Sequence, residues 1–131
     1  MAINMQKLFF GAVAGLVATA FSVSFTVQAE HHDEVISKVM KDFHKAPKGV
    51  DPVSKKAGDG KATKEELKKL VEGYKAMAKA KPAKGTDASW KEKMTKLVAA
   101  SEGLEKGLPD AAAKFKEAVN CKACHSEHKP D

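Results

Sequence analysis

Four stretches of the chain repeat apolar residues at helical spacing, and no stretch alternates as a strand would. The first runs from about His32 to Lys45, with Val35, Ile36, Val39, Met40 and Phe43 on one face. Pro47, Gly49 and Pro52 end it and open a connection that continues through Gly58-Asp59-Gly60. The second begins with Thr63-x-x-Glu66, a capping box, and carries the stripe Leu67, Leu70, Val71, Tyr74 and Met77 or Ala78. Pro82 stops it near Lys81. The third takes Thr86 or Asp87 as N-cap, turns Trp90, Met94, Leu97, Val98 and Leu104 inward, and ends near Gly107. Pro109 suits the first turn of a fourth helix that carries Phe115 and Val119 into the residues from Cys121 to His125. Short loops between the last three favour antiparallel neighbours. The pattern predicts an all-α fold, an antiparallel four-helix bundle.

Ahead of these helices the pattern changes. Lys7 precedes an almost wholly apolar or small run from Leu8 to Phe25, and Val27-Gln28-Ala29 reads as a small-residue cleavage site. Residues 1–29 are therefore expected to be a cleaved secretory signal peptide, leaving residues 30–131 as the mature domain. An uncleaved membrane anchor is the competing reading, because the apolar run is near the lower limit for a span. The cleavage-like residues favour removal, after which no stable membrane insertion is expected.

Composition narrows the classes. The mature 102 residues make one small domain in which 22 lysines face 17 acids, and the whole chain has no arginine. That weighs against sequence-specific nucleic-acid binding, where bidentate arginine does much of the reading. The lysines are interleaved with Glu and Asp, as on a solvated helical surface, although a basic face would also steer an acidic partner. The mature core is thin: Phe43, Tyr74, Trp90 and Phe115 are its only aromatics. Well-patterned but sparse apolar residues imply that something else completes the core.

Cys121-Lys122-Ala123-Cys124-His125 supplies the candidate. C-x-x-C-H is the attachment sequence of a c-type haem. Thiols three positions apart lie about one helical turn from each other and can form thioethers with the two vinyl groups on one porphyrin edge. The next residue, His125, then serves as proximal iron ligand. One covalent haem c, bound through Cys121 and Cys124, is the expected cofactor, and without it the chain is expected to be loosely folded. In bacteria such haem is attached outside the cytoplasm, which agrees with the leader and predicts a periplasmic or otherwise exported protein.

A secreted chain of this size, with four helices and C-x-x-C-H in the last, resembles the class II c-type cytochromes, cytochrome c′ and its low-spin six-coordinate relatives. The stretch from Phe115 to His125 is similar to their haem helix. The usual aromatic and basic residues soon after the histidine are here His128 and Lys129, and the arginine that cytochrome c′ tends to carry in its first helix is missing. The resemblance implies that the group facing the iron on its distal side comes from the first helix. Met40 stands where a ligating methionine would fall, and a neutral thioether raises the potential in favour of electron transfer. His44, four residues on and on the same face, would give bis-histidine iron instead. Relatives often dimerise, so a homodimer is among the implied assemblies, and Lys129 stands where a basic residue approaches a haem propionate in relatives.

The leading functional expectation is a one-electron carrier with a redox partner protein, an acidic one if the lysines steer it. The alternative is a five-coordinate, cytochrome c′-like protein that binds NO or CO. Met77 and Met94 read as core, His31 and His32 as solvated, and His128 as exposed. A zinc site from Cys121, Cys124 and His128 lacks a second cysteine pair, and a thiol redox pair lacks its usual βαβ setting. No acid–base pair suggests an enzyme.

Overall fold

The computed structural model describes residues 30–131, and every regular element among them is helical. The signal peptide and cleavage site expected in residues 1–29 lie outside the described residues. Among the described residues, no helix is long and apolar enough to cross a membrane.

Helix α1 (Glu30–Val39) runs without a break into a π-helical turn, Met40–His44, and the backbone becomes extended at Lys45 ahead of Pro47. A π turn inserts one extra residue per hydrogen-bonded ring and is frequent at functional sites. It leaves Val39 buried and Met40, Phe43 and His44 half-buried. Phe43 packs closely against the backbone of the next long helix, because Gly73 offers no side chain there. A Cβ on Gly73 would sit 2.6 Å from the Phe43 ring. A glycine inside a helix costs about 0.5–1 kcal/mol against alanine; here it lets the π turn approach closely.

The connection between the first two predicted helices contains a short helix, α2 (Val53–Gly58), which starts after Pro52 and buries Ala57. It is tied to α3 (Lys64–Lys79) by Lys56, whose Nζ is 2.7 Å from Glu66 Oε1. Glu66 also closes the predicted capping box: its N–H donates to Thr63 Oγ1 at 3.1 Å, and Thr63 N–H donates to its carboxylate at 2.9 Å. Leu70, Val71, Tyr74 and Met77 form the buried face of α3.

Helix α4 (Asp87–Glu105) takes Thr86 as N-cap and buries Trp90, Met94 and Leu97. The largest interface in the domain is between α3 and α4, and Lys75 bridges it to Glu102 at 2.7 Å. Small residues close the packing around Ala100, Ser101 and Gly103, all buried, and Ser101 Oγ donates to the Val98 carbonyl at 2.8 Å.

The last segment departs from the expected single helix. Pro109 stays outside it, Asp110 adopts φ 61°, and α5 spans only Ala111–Ala118. Val119 and Asn120 are non-helical, and a separate helix, α6 (Cys121–His128), follows. Asparagine competes with the helix backbone for hydrogen bonds, and its short side chain makes a good cap. Asn120 Oδ1 accepts from Ala123 N–H at 3.0 Å, so the helix restarts at the first cysteine. Phe115, fully buried, anchors α5 on the core just before the break.

Candidate functional site

Because α6 starts at Cys121, both cysteines and His125 lie in its first turn and a half. Cys121 and His125 are exposed, and Cys124 is half-buried; the thiols are not joined. All three line one cavity of about 1180 Å³, and Met40 and His44 of the π turn line it as well. Its walls include Met77, Met94, Leu97 and Phe115, so the lining is mainly apolar. The cavity thus brings together every residue singled out for cofactor attachment and ligation. Met77 and Met94 both pack in the core and reach its wall.

The residues fit the group that the motif implies. Pockets for cofactor-sized ligands run to about 300–1,000 Å³ and are apolar with a few directed polar groups. This cavity is of that order and somewhat larger. It has two thiols and an imidazole on one element, and a thioether and a second imidazole on another.

The thiols are poorly suited to disulfide chemistry. Burial pushes the Cys124 thiol up from its ordinary pKa, whereas reactive redox thiols have theirs lowered. His128 does not join them either. Rather than exposed, it is buried, with Nδ1 2.9 Å from the Lys84 carbonyl, Nε2 3.2 Å from Ser89 Oγ and its ring edge-on to Trp90 at 5.1 Å. A carbonyl only accepts, so Nδ1 carries the proton. With Lys93 bonded to Glu127 at 3.0 Å, these contacts clamp α6 onto the start of α4 and the loop before it. The His128 ring packs edge-on to Trp90 as an aromatic side chain would. Lys129 is exposed and does not line the cavity.

His44 is the most perturbed group of the site. Its Nε2 is 2.9 Å from the Tyr74 hydroxyl. Burial, with His125 near enough to add to the effect, pulls its pKa down to about 4. Burial also pushes the Tyr74 hydroxyl far above its ordinary range, with Cys121 contributing, so the phenol stays neutral. At neutral pH His44 is uncharged both folded and unfolded. Between about pH 6.5 and 4 the unfolded chain takes up a proton that the folded chain refuses, so stability falls as pH falls. At 1.36 kcal/mol per unit the loss reaches about 3 kcal/mol. Asp59, Glu66, Glu92 and Glu102, held below their ordinary values by lysine partners, lose stability only at lower pH. Urea unfolding of the intact protein at pH 7 and pH 4.5 is expected to show this loss, and His44→Gln to remove most of it. Equal losses in the two proteins would assign the acid sensitivity elsewhere.

The chain matches no family model, no curated protein and no solved structure.

Proposed function

We propose that the mature chain is an exported c-type cytochrome that carries one electron. The observation that supports this best is the convergence of Cys121, Cys124 and His125 with Met40 on one apolar cavity. Cys121 and Cys124 would hold haem c there by thioethers, and the group would supply one-electron redox chemistry. His125 would ligate the iron from α6 and Met40 from the π turn, its soft, neutral sulfur favouring the reduced state. Helix α1 with its π turn, α3, α4 and the broken pair α5–α6 act as the four rods of a class II-like bundle.

Lysines at the cavity support an acidic redox partner. Lys55, Lys93, Lys96 and Lys116 are paired with carboxylates, while Lys45 and Lys114 also line it and add positive charge. Such a field speeds encounter with an acidic surface.

The open side of the cavity favours one second reading. A five-coordinate iron reached through it would bind NO or CO, since steric access decides between ligand binding and electron transfer. Optical spectra of the purified holoprotein, ferric and ferrous, with and without CO, separate the two. The expected result is a low-spin spectrum with a methionine-to-iron charge-transfer band that resists CO. A high-spin ferrous spectrum that shifts on adding CO would replace the carrier with the gas binder. A protein without covalent haem would end both readings.

A further inference from the structure

Two side chains of the π turn reach the cavity, yet only one is free to act there. His44 lines it with Met40, but its Nε2 is engaged by Tyr74 at 2.9 Å. With the phenol donating, Nε2 accepts its proton and the neutral ring carries its own on Nδ1, so neither nitrogen has a lone pair to spare. Tyr74 is fully buried in the middle of α3, stacked on Phe115 at 6.3 Å and tilted against the His44 ring at 5.7 Å. The phenol is therefore fixed and cannot follow an imidazole that swings toward the cavity. A buried hydroxyl stranded without its partner is costly, so the pair resists opening. We propose that Tyr74 is a positioning residue that holds His44 off the metal and reserves the sixth position for Met40 or an exogenous ligand. Selection of the ligand thus resides in α3, outside both the haem motif and the distal turn.

This inference rests on the covalent-haem reading. Its test compares holoproteins whose covalent haem is first verified by the pyridine haemochrome of the denatured chain. Tyr74→Phe keeps the ring and removes only the hydroxyl. It is expected to replace the wild-type spectrum with a bis-histidine low-spin one, without a charge-transfer band and unresponsive to CO, and to shift the midpoint potential downward. Adding His44→Gln to Tyr74→Phe is expected to restore the wild-type spectrum, which a merely structural role for Tyr74 would not do. His44→Gln alone is expected to leave spectrum and potential unchanged, and this arm does not depend on how the Tyr74 variant folds. A Tyr74→Phe holoprotein with the wild-type spectrum would overturn the proposal. So would a wild-type spectrum altered by His44→Gln alone, because His44 would already be on the iron. Absence of covalent haem in the wild type would remove the parent reading and the latch together; a negative result in verified holoprotein removes the latch alone.

Discussion

Cys121→Ala/Cys124→Ala is expected to leave no haem on the denatured chain and to replace a sharp thermal transition with a broad one. The first effect follows from the chemistry: without thiols no thioether forms, and His125 alone gives a bond that denaturation breaks. The second follows from the cavity. Haem would cover the mainly apolar lining of a half-open cavity of about 1180 Å³. Without it the π turn and α6, which both line that cavity, lose the group that would join them, and the apolar contacts that make unfolding cooperative are fewer on that side of the core. The alanines themselves remove little packing, because Cys121 is exposed and Cys124 half-buried. Differential scanning calorimetry of holoprotein and variant decides the matter. A variant with a calorimetric transition as sharp as the holoprotein's would show that α3, α4 and α5 make a sufficient core alone.

The same contacts explain what was legible in the sequence. The faces of α3 and α4 were, because Leu70, Tyr74, Met77, Trp90, Met94 and Leu97 repeat at helical spacing and are buried. The cap of α3 was too, since a capping box is a purely local arrangement. The break before Cys121 was not. Phe115, Val119 and the cysteine spacing all suit one continuous helix, and the contrary signal is a single asparagine whose capping role appears only once Ala123 is beneath it. Helix α2 was hidden because a six-residue helix offers two apolar positions, Val53 and Ala57, too few for a period. The π turn was hidden because it continues α1 with the same face inward. At the site, the motif named Cys121, Cys124 and His125, and the resemblance pointed to Met40 and His44. Nothing in the sequence paired His44 with Tyr74, thirty positions away, or buried His128 under residues about forty positions distant. Long-range polar contacts have no periodicity to read.

Gly85→Ala is expected to destabilise the holoprotein by about 2–5 kcal/mol, lowering its melting temperature by roughly 10 °C or more. Gly85 has φ +86°, where an L side chain is strained by about 1–2 kcal/mol. It also faces α6 directly: a Cβ there would lie 2.4 Å from His128 Nδ1 and 2.9 Å from the Glu127 carbonyl oxygen. The imidazole cannot yield cheaply, because Lys84, Ser89 and Trp90 hold it on three sides. The remaining relief is a shift of α6 as a whole, which carries Cys121, Cys124 and His125 with it. Overpacking of this kind adds about 1–3 kcal/mol. Gly107→Ala is the matched control, since Gly107 has φ +67° but no atom within 4 Å of an added Cβ. It carries the backbone strain alone. The excess cost of Gly85→Ala over Gly107→Ala therefore measures the clamp on α6, and His128→Ala in the Gly85→Ala background is expected to recover part of it. Equal costs for the two glycines would show that α6 is held by other contacts rather than by this one.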